Sequence, residues 1–221
     1  MKRSRVILSI LLITLAGLAI YWWSDTPIHF TREEGKVIPR NALELAFENY
    51  HEEILEASED LELPYAYLMA LTVLECSGKK PAGKRYEKVV YERLQKVKSG
   101  EKRKYEQVRH RHLKNASDAA VENLATSWGP FQLMGYKCIG MDVEVADIRG
   151  DDAVFYGAKW VKAEYGHLLK KERYKDAFHY HNTGRTFPRS GNSQTHDPMY
   201  VTRGLEYMKY FEKRLKEEEA S

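Results

Sequence analysis

Three kinds of hydrophobic pattern follow one another along the chain. Val6 to Trp23 is an apolar run of eighteen residues that holds Ser9 and Thr14 but no charge. Residues 25–40 lose all periodicity, with Pro27, Gly35 and Pro39 as breakers. From Asn41 apolar residues recur at spacings of three and four: Leu43, Phe47, Tyr50, Ile54 and Leu55 form a stripe, while eight acidic residues between Glu44 and Glu62 cover the solvated face. Pro64 stands at a first-turn position, and Tyr65 to Cys76 reads as a buried, mostly apolar helix stopped near Gly78. Further helices are expected from the cap Ser117 through Leu124, from the cap Asp151 with Val154, Ala158, Val161, Tyr165 and Leu168 inward, and over residues 173–180. A last one follows Asp197-Pro198, with Val201, Leu205, Met208, Phe211 and Leu215 inward. Ser127-Trp128-Gly129-Pro130 reads as a turn, residues 98–104 as an exposed loop, and residues 184–196 as a polar loop long enough to line a site. Alternating strand patterns are weak and no internal repeat occurs, so the expected class is mainly α.

The N-terminal run has the length and flanks of a membrane signal. Lys2, Arg3 and Arg5 precede it and Asp25, Glu33 and Glu34 follow it, an asymmetry that keeps the N-terminus in the cytoplasm and exports the remainder. Tyr21, Trp22 and Trp23 suit an interfacial belt and favour a retained anchor, whereas Gly17 and Ala19 suit a cleaved signal peptide. The organisation expected is therefore a signal anchor or signal peptide over 1–24, a linker over 25–40 and one domain over 41–221. Its expected location is the cell envelope, single-pass in the inner membrane and facing the periplasm, or secreted if the leader is removed. Cys76 and Cys138 would then sit where a disulfide can form; two buried unpaired thiols are the equal alternative.

With 43% hydrophobic and 30% charged residues in 221, the chain is neither disordered nor a disulfide scaffold, having only two Cys. The net charge of +3 says less than its distribution, because residues 79–114 carry fourteen Lys or Arg against four Glu. Such a stretch is either a solvated face or a surface for an anionic polymer. Nucleic acid is not an expected partner of an exported chain unless it serves a DNA-transfer apparatus.

Glu75 is the sole acid on the helix that starts at Tyr65. A carboxyl there is partly desolvated and near the negative end of the helix dipole, and both effects favour its protonated form. A carboxylic acid that keeps its proton near neutral pH can protonate the leaving oxygen of a glycosidic bond. The plain alternative is a helix-terminal Glu turned to solvent.

Glu75-Cys76-Ser77-Gly78, then Ser127-Trp128-Gly129-Pro130-Phe131-Gln132-Leu133-Met134-Gly135, then Ala177 to Gly184 with Tyr180-His181-Asn182-Thr183-Gly184, resemble in order and spacing the motifs of the lysozyme-like superfamily. Soluble lytic transglycosylases, goose-type lysozymes and bacterial or phage N-acetylmuramidases are the nearest branches. The resemblance spans residues 60–212 and implies a lysozyme-like, lytic-transglycosylase-type helical fold. It implies Glu75 as the catalytic acid, and a groove lined by Ser77, Trp128, Gly129, Phe131, Gln132, Tyr180, His181 and Asn182. Three departures stand out. Cys76 takes the place of the family's Ser after the Glu; His181 aligns with its Tyr, a role Tyr180 takes only through a one-residue shift; and Leu94 replaces a His of the N-acetylmuramidase branch. Glu92 reads as a partner of neighbouring cations rather than a second acid.

A two-carboxylate glycosidase needs a second acid close to the first. Asp142, Glu144 and Asp147 are available in the sequence, but none stands out. The resemblance instead implies a single Glu as acid and then base, cutting the β-1,4 bond between N-acetylmuramic acid and N-acetylglucosamine with a 1,6-anhydro product. Hydrolysis by a muramidase, including a phage-type endolysin, stays open, as does a non-catalytic wall-binding assembly protein. The expected partners are peptidoglycan glycan strands, the membrane through the N-terminal span, and a secretion or conjugation apparatus as host. No metal site is expected from His110, His112, His179 and His181, whose i, i+2 spacing splays the rings, and no cofactor is required.

Overall fold

The computed structural model describes residues 30–33 and 36–220, with side chains from residue 42 onward. The expected membrane segment lies outside the described residues, and no helix among them is long and apolar enough to cross a membrane. The chain divides into two units at Arg40/Asn41. In the first, β1 (Phe30–Glu33) pairs antiparallel with β2 (Lys36–Pro39), Phe30 opposite Pro39. The residues read as a linker thus hold a short ladder, and its four-residue strands are too short to show an alternation that outweighs the flanking prolines.

The second unit is mainly α. Helix α1 (Arg40–Asp60) turns Leu43, Ala46, Tyr50 and Ile54 inward and its acids outward. Helix α2 (Tyr65–Cys76) buries ten of its twelve residues. Pro64 precedes it with φ −65°, and Ser77 ends it in the left-handed region at φ 55°, its N–H donating to the Val73 carbonyl at 2.9 Å. Gly78 follows at φ 70°, where a Cβ would also collide with the backbone of Ala42 and Ala46 in α1. Only glycine lets the chain leave the Glu75 helix while α1 packs this closely.

A basic lobe with a core of its own follows. Helix α3 (Lys88–Lys98), the short α4 (His110–Leu113) and α5 (Asp118–Leu124) bury Leu94, Val97, Val108, Leu113, Val121 and Ala125 together. Leu94 is a fully buried core residue, and Glu92 is exposed beside Lys88 at 3.8 Å. Ser117 caps α5 as expected, its hydroxyl accepting the Ala120 N–H at 3.1 Å. Short strands frame the lobe: β3 (Arg85–Tyr86), β6 (Thr126–Trp128) and β7 (Leu133–Met134) form one sheet in the order β3-β6-β7, and β4 (Lys104–Tyr105) pairs with β5 (Val108–Arg109). Ser127 and Trp128 therefore belong to a strand, and the turn begins at Gly129.

After a 3₁₀ turn at Gly135–Lys137 and α6 (Cys138–Met141), α7 runs over Ala153–Leu169. It starts after Asp152 rather than Asp151 and breaks at Tyr165 (φ −142°, ψ 19°). Helix α8 (Tyr174–Thr183) outlasts its expected end because Gly184, left-handed at φ 71°, supplies the stop signal three residues beyond Tyr180's neighbour His181. That extension places His181 and Asn182 on the helix's last turn. Helix α9 (Tyr200–Glu219) packs against α2 and α8, with Gly204 facing Phe178 so closely that a Cβ would come within 2.9 Å of the ring. Cys76 and Cys138 are both buried and unpaired, which decides the open question of a disulfide.

Candidate active site

Three segments far apart in sequence meet at Glu75. Its side chain, 17% exposed at the C-terminal end of α2, offers Oε1 to the Tyr200 hydroxyl of α9 and lies 3.7 Å from His181 Nε2 of α8. His181 Nε2 in turn lies 3.1 Å from the Phe131 carbonyl, in the turn between β6 and β7. The helix bearing the acid, the Trp-Gly-Pro-Phe-Gln turn and the Asn182 helix end are thus joined through one imidazole.

The hydrogen-bond pattern assigns that ring's state. Nε2 faces two oxygens, so it carries the proton; Nδ1 lies 2.7 Å from Tyr165 Oη. Burial pushes the His181 pKa below its ordinary value, although Glu75 and the Phe131 carbonyl act in the other direction. A neutral ring then accepts from Tyr165 at Nδ1, and Tyr67 Oη donates to Tyr165 Oη at 3.2 Å. The direction of the relay is Tyr67 to Tyr165 to His181 to the Phe131 carbonyl. Burial drives the phenols of Tyr67, Tyr165 and Tyr200 well above the usual tyrosine range, so all three remain hydroxyl donors. The 3.7 Å approach of His181 to Glu75 is accordingly a neutral N–H beside a carboxyl and not an ion pair. Oε2 of Glu75 accepts no hydrogen bond among the described residues.

The turn is built to hold its shape. Gly129 and Gln132 both have positive φ, at 71° and 49°, and the Gln132 side chain bridges its own loop, accepting from Ser127 Oγ at 2.8 Å and donating to the Gly129 carbonyl at 3.1 Å. The Phe131 ring is 1% exposed and lies against Gly157 of α7. Its role is to place its carbonyl before His181 rather than to stack on a sugar.

Next to this cluster opens a cavity of about 410 Å³ lined by Phe131, Gln132, Trp160, Tyr180, His181 and Asn182 among others. The indole N–H of Trp160 is buried in its wall without an acceptor among the described residues. Trp128 and Gly129 line a different groove of about 660 Å³, with Lys84 and Arg149 each 5.5 Å from the Trp128 ring, whose N–H is used by the Asn123 carbonyl. Ser77 is exposed and serves as the end of α2. Of the expected site residues, Phe131, Gln132, Tyr180, His181 and Asn182 line this cavity, Glu75 stands behind it beside His181, and Trp128, Gly129 and Ser77 stand apart from it. The tyrosine on the carboxyl is Tyr200, not Tyr180, whose ring packs on Tyr165. Sequence reasoning missed Tyr200, Tyr165 and Tyr67.

No group of three or more His, Cys, Asp or Glu able to hold a metal ion occurs among the described residues. No protein-family model, curated protein or solved structure matches the chain.

Proposed function

We propose that the domain is lysozyme-like and cleaves the β-1,4 bond between N-acetylmuramic acid and N-acetylglucosamine in peptidoglycan as a lytic transglycosylase. The observation that carries the reading is the setting of Glu75: a mostly buried carboxyl, the sole acid of its helix, that accepts a hydrogen bond from Tyr200 and has the neutral His181 ring 3.7 Å away. Glu75 gives its proton to the glycosidic oxygen, which leaves as the 4-hydroxyl of N-acetylglucosamine. The carbonyl oxygen of the substrate's own N-acetyl group holds C1 in the meantime. The Glu75 carboxylate, stabilised by the Tyr200 hydroxyl, then takes the proton of the 6-hydroxyl as O6 bonds to C1 and displaces the acetamido oxygen. No water is consumed and the carboxyl ends protonated, ready for another cycle. Gln132, Tyr180 and Asn182 line the cavity that would seat the glycan. The proposed setting is the cell envelope, with residues 1–24 as anchor or leader.

Mass spectrometry of products from purified sacculi tests the chemistry. Anhydro-muramyl ends are expected; reducing ends would replace transglycosylation by hydrolysis, and intact sacculi would leave a binding protein.

A further inference from the structure

The basic lobe keeps its cations together without acids to balance them. All four acids of residues 79–114 are already engaged, Glu87 with Arg85, Glu92 with Lys88, Glu101 with Lys96 and Glu106 with Lys137. Arg93, Lys102, Arg103, Lys104, Arg109 and Arg111 are exposed and have no carboxylate partner among the described residues. The buried cluster of Leu94, Val97, Val108 and Leu113 fixes them on a folded platform, not a loose tail. In the two-residue ladder β4–β5, Lys104 stands directly opposite Arg109, a like-charge cross-strand pair that weakens a hairpin. Arg93 and Lys102 also converge on the Tyr105 ring, at 5.7 and 5.8 Å. The ring offsets part of this repulsion by cation–π attraction, but the Lys104–Arg109 pair has no such offset, and a local rule broken without compensation marks a surface kept for a partner. The lobe also adjoins the proposed glycan site: Glu106, in the turn of the β4–β5 hairpin, lines the 410 Å³ cavity together with His181 and Asn182.

We infer that this lobe docks the carboxylate-bearing peptide side chains of a wall glycan strand whose sugars lie in the cavity, an inference that rests on the glycan reading of that cavity. Guanidinium forks and clustered ammonium groups hold carboxylates by charge-assisted hydrogen bonds, and the hairpin gains stability when a carboxylate bridges Lys104 and Arg109. The substrate is thereby specified as glycan with its acidic peptides still attached.

The test uses the Glu75→Gln protein, which would bind without turnover, and two ligands: glycan strands with intact peptides, and the same strands stripped by an amidase. Intact strands should bind roughly tenfold more tightly at low salt, about what three exposed ion pairs supply. The margin should shrink as salt rises. In Lys102→Glu/Arg103→Glu/Arg109→Glu it should vanish, while binding to stripped strands stays unchanged and the melting temperature does not fall, since Glu opposite Lys104 relieves the like-charge pair. Equal affinity for both strands, or equal loss of both in the triple variant, overturns the inference and leaves the glycan reading standing. Tighter binding of phosphatidylglycerol vesicles or duplex DNA than of intact strands overturns it in favour of a phosphate surface. If neither strand binds, the glycan reading itself falls.

Discussion

Replacing Tyr165 by Phe removes a single oxygen from the centre of the relay. Tyr165 is 0% exposed, as is Tyr67, and the His181 side chain is 7% exposed, so water cannot take over. Two groups lose their partner at once: the Tyr67 hydroxyl, 3.2 Å from Tyr165 Oη, and His181 Nδ1, 2.7 Å from it. A buried donor or acceptor left unsatisfied costs about 1–3 kcal/mol, so the substitution should destabilise the fold by about 3 kcal/mol. That is a large part of the stability of a domain this size. Urea denaturation should show a lower midpoint at unchanged slope. Tyr180→Phe is the internal control, since the Tyr180 hydroxyl makes no hydrogen bond among the described residues and its loss should stay within about 0.5 kcal/mol. The double variant Tyr67→Phe/Tyr165→Phe should cost less than the sum of the singles, because the first change already breaks the shared bond. A Tyr165→Phe loss no larger than that of the control would refute the relay.

Other expectations follow from the same packing. Gly157→Ala puts a Cβ 2.5 Å from the buried Phe131 ring and should cost about 1–3 kcal/mol while displacing the carbonyl that faces His181, read as joint loss of stability and turnover. Because burial lowers the folded-state pKa of His181, the unfolded chain binds more protons below the ordinary histidine value; the stabilisation is complete above about pH 6.5 and is lost as pH falls through the folded-state pKa. Unfolding free energy should therefore decline on acidification from about pH 7, and His181→Asn should flatten that slope. Burial raises the thiols of Cys76 and Cys138 to about 11 and about 12, so an aromatic disulfide reagent should modify neither at neutral pH until the protein is unfolded; prompt labelling of the native protein would contradict their burial.

Much of this arrangement was legible because it is written locally. Glu75 is recognisable as an isolated acid on a helix that is otherwise apolar, and periodicity alone places α1, α2, α7 and α9. The relay was not legible, because its contacts join Tyr67 to Tyr165 across 98 positions and Glu75 to Tyr200 across 125, and nothing local distinguishes these among 15 tyrosines. The small sheet escaped for a different reason: strands of two or three residues are too short for alternation to register. His181 was seen as a departure from a motif, but its function as the link between helix, turn and carboxyl depends on where Gly184 ends α8.

The account stands on Glu75 as the proton donor, and the digestion rate of purified sacculi by wild type and Glu75→Gln tests that most directly. The amide keeps the shape and a hydrogen-bonding partner for Tyr200 but has no proton to deliver, so the rate should fall by a factor of about 10² to 10⁴ with the melting temperature preserved. A Glu75→Gln protein that solubilises sacculi as fast as wild type would contradict the assignment.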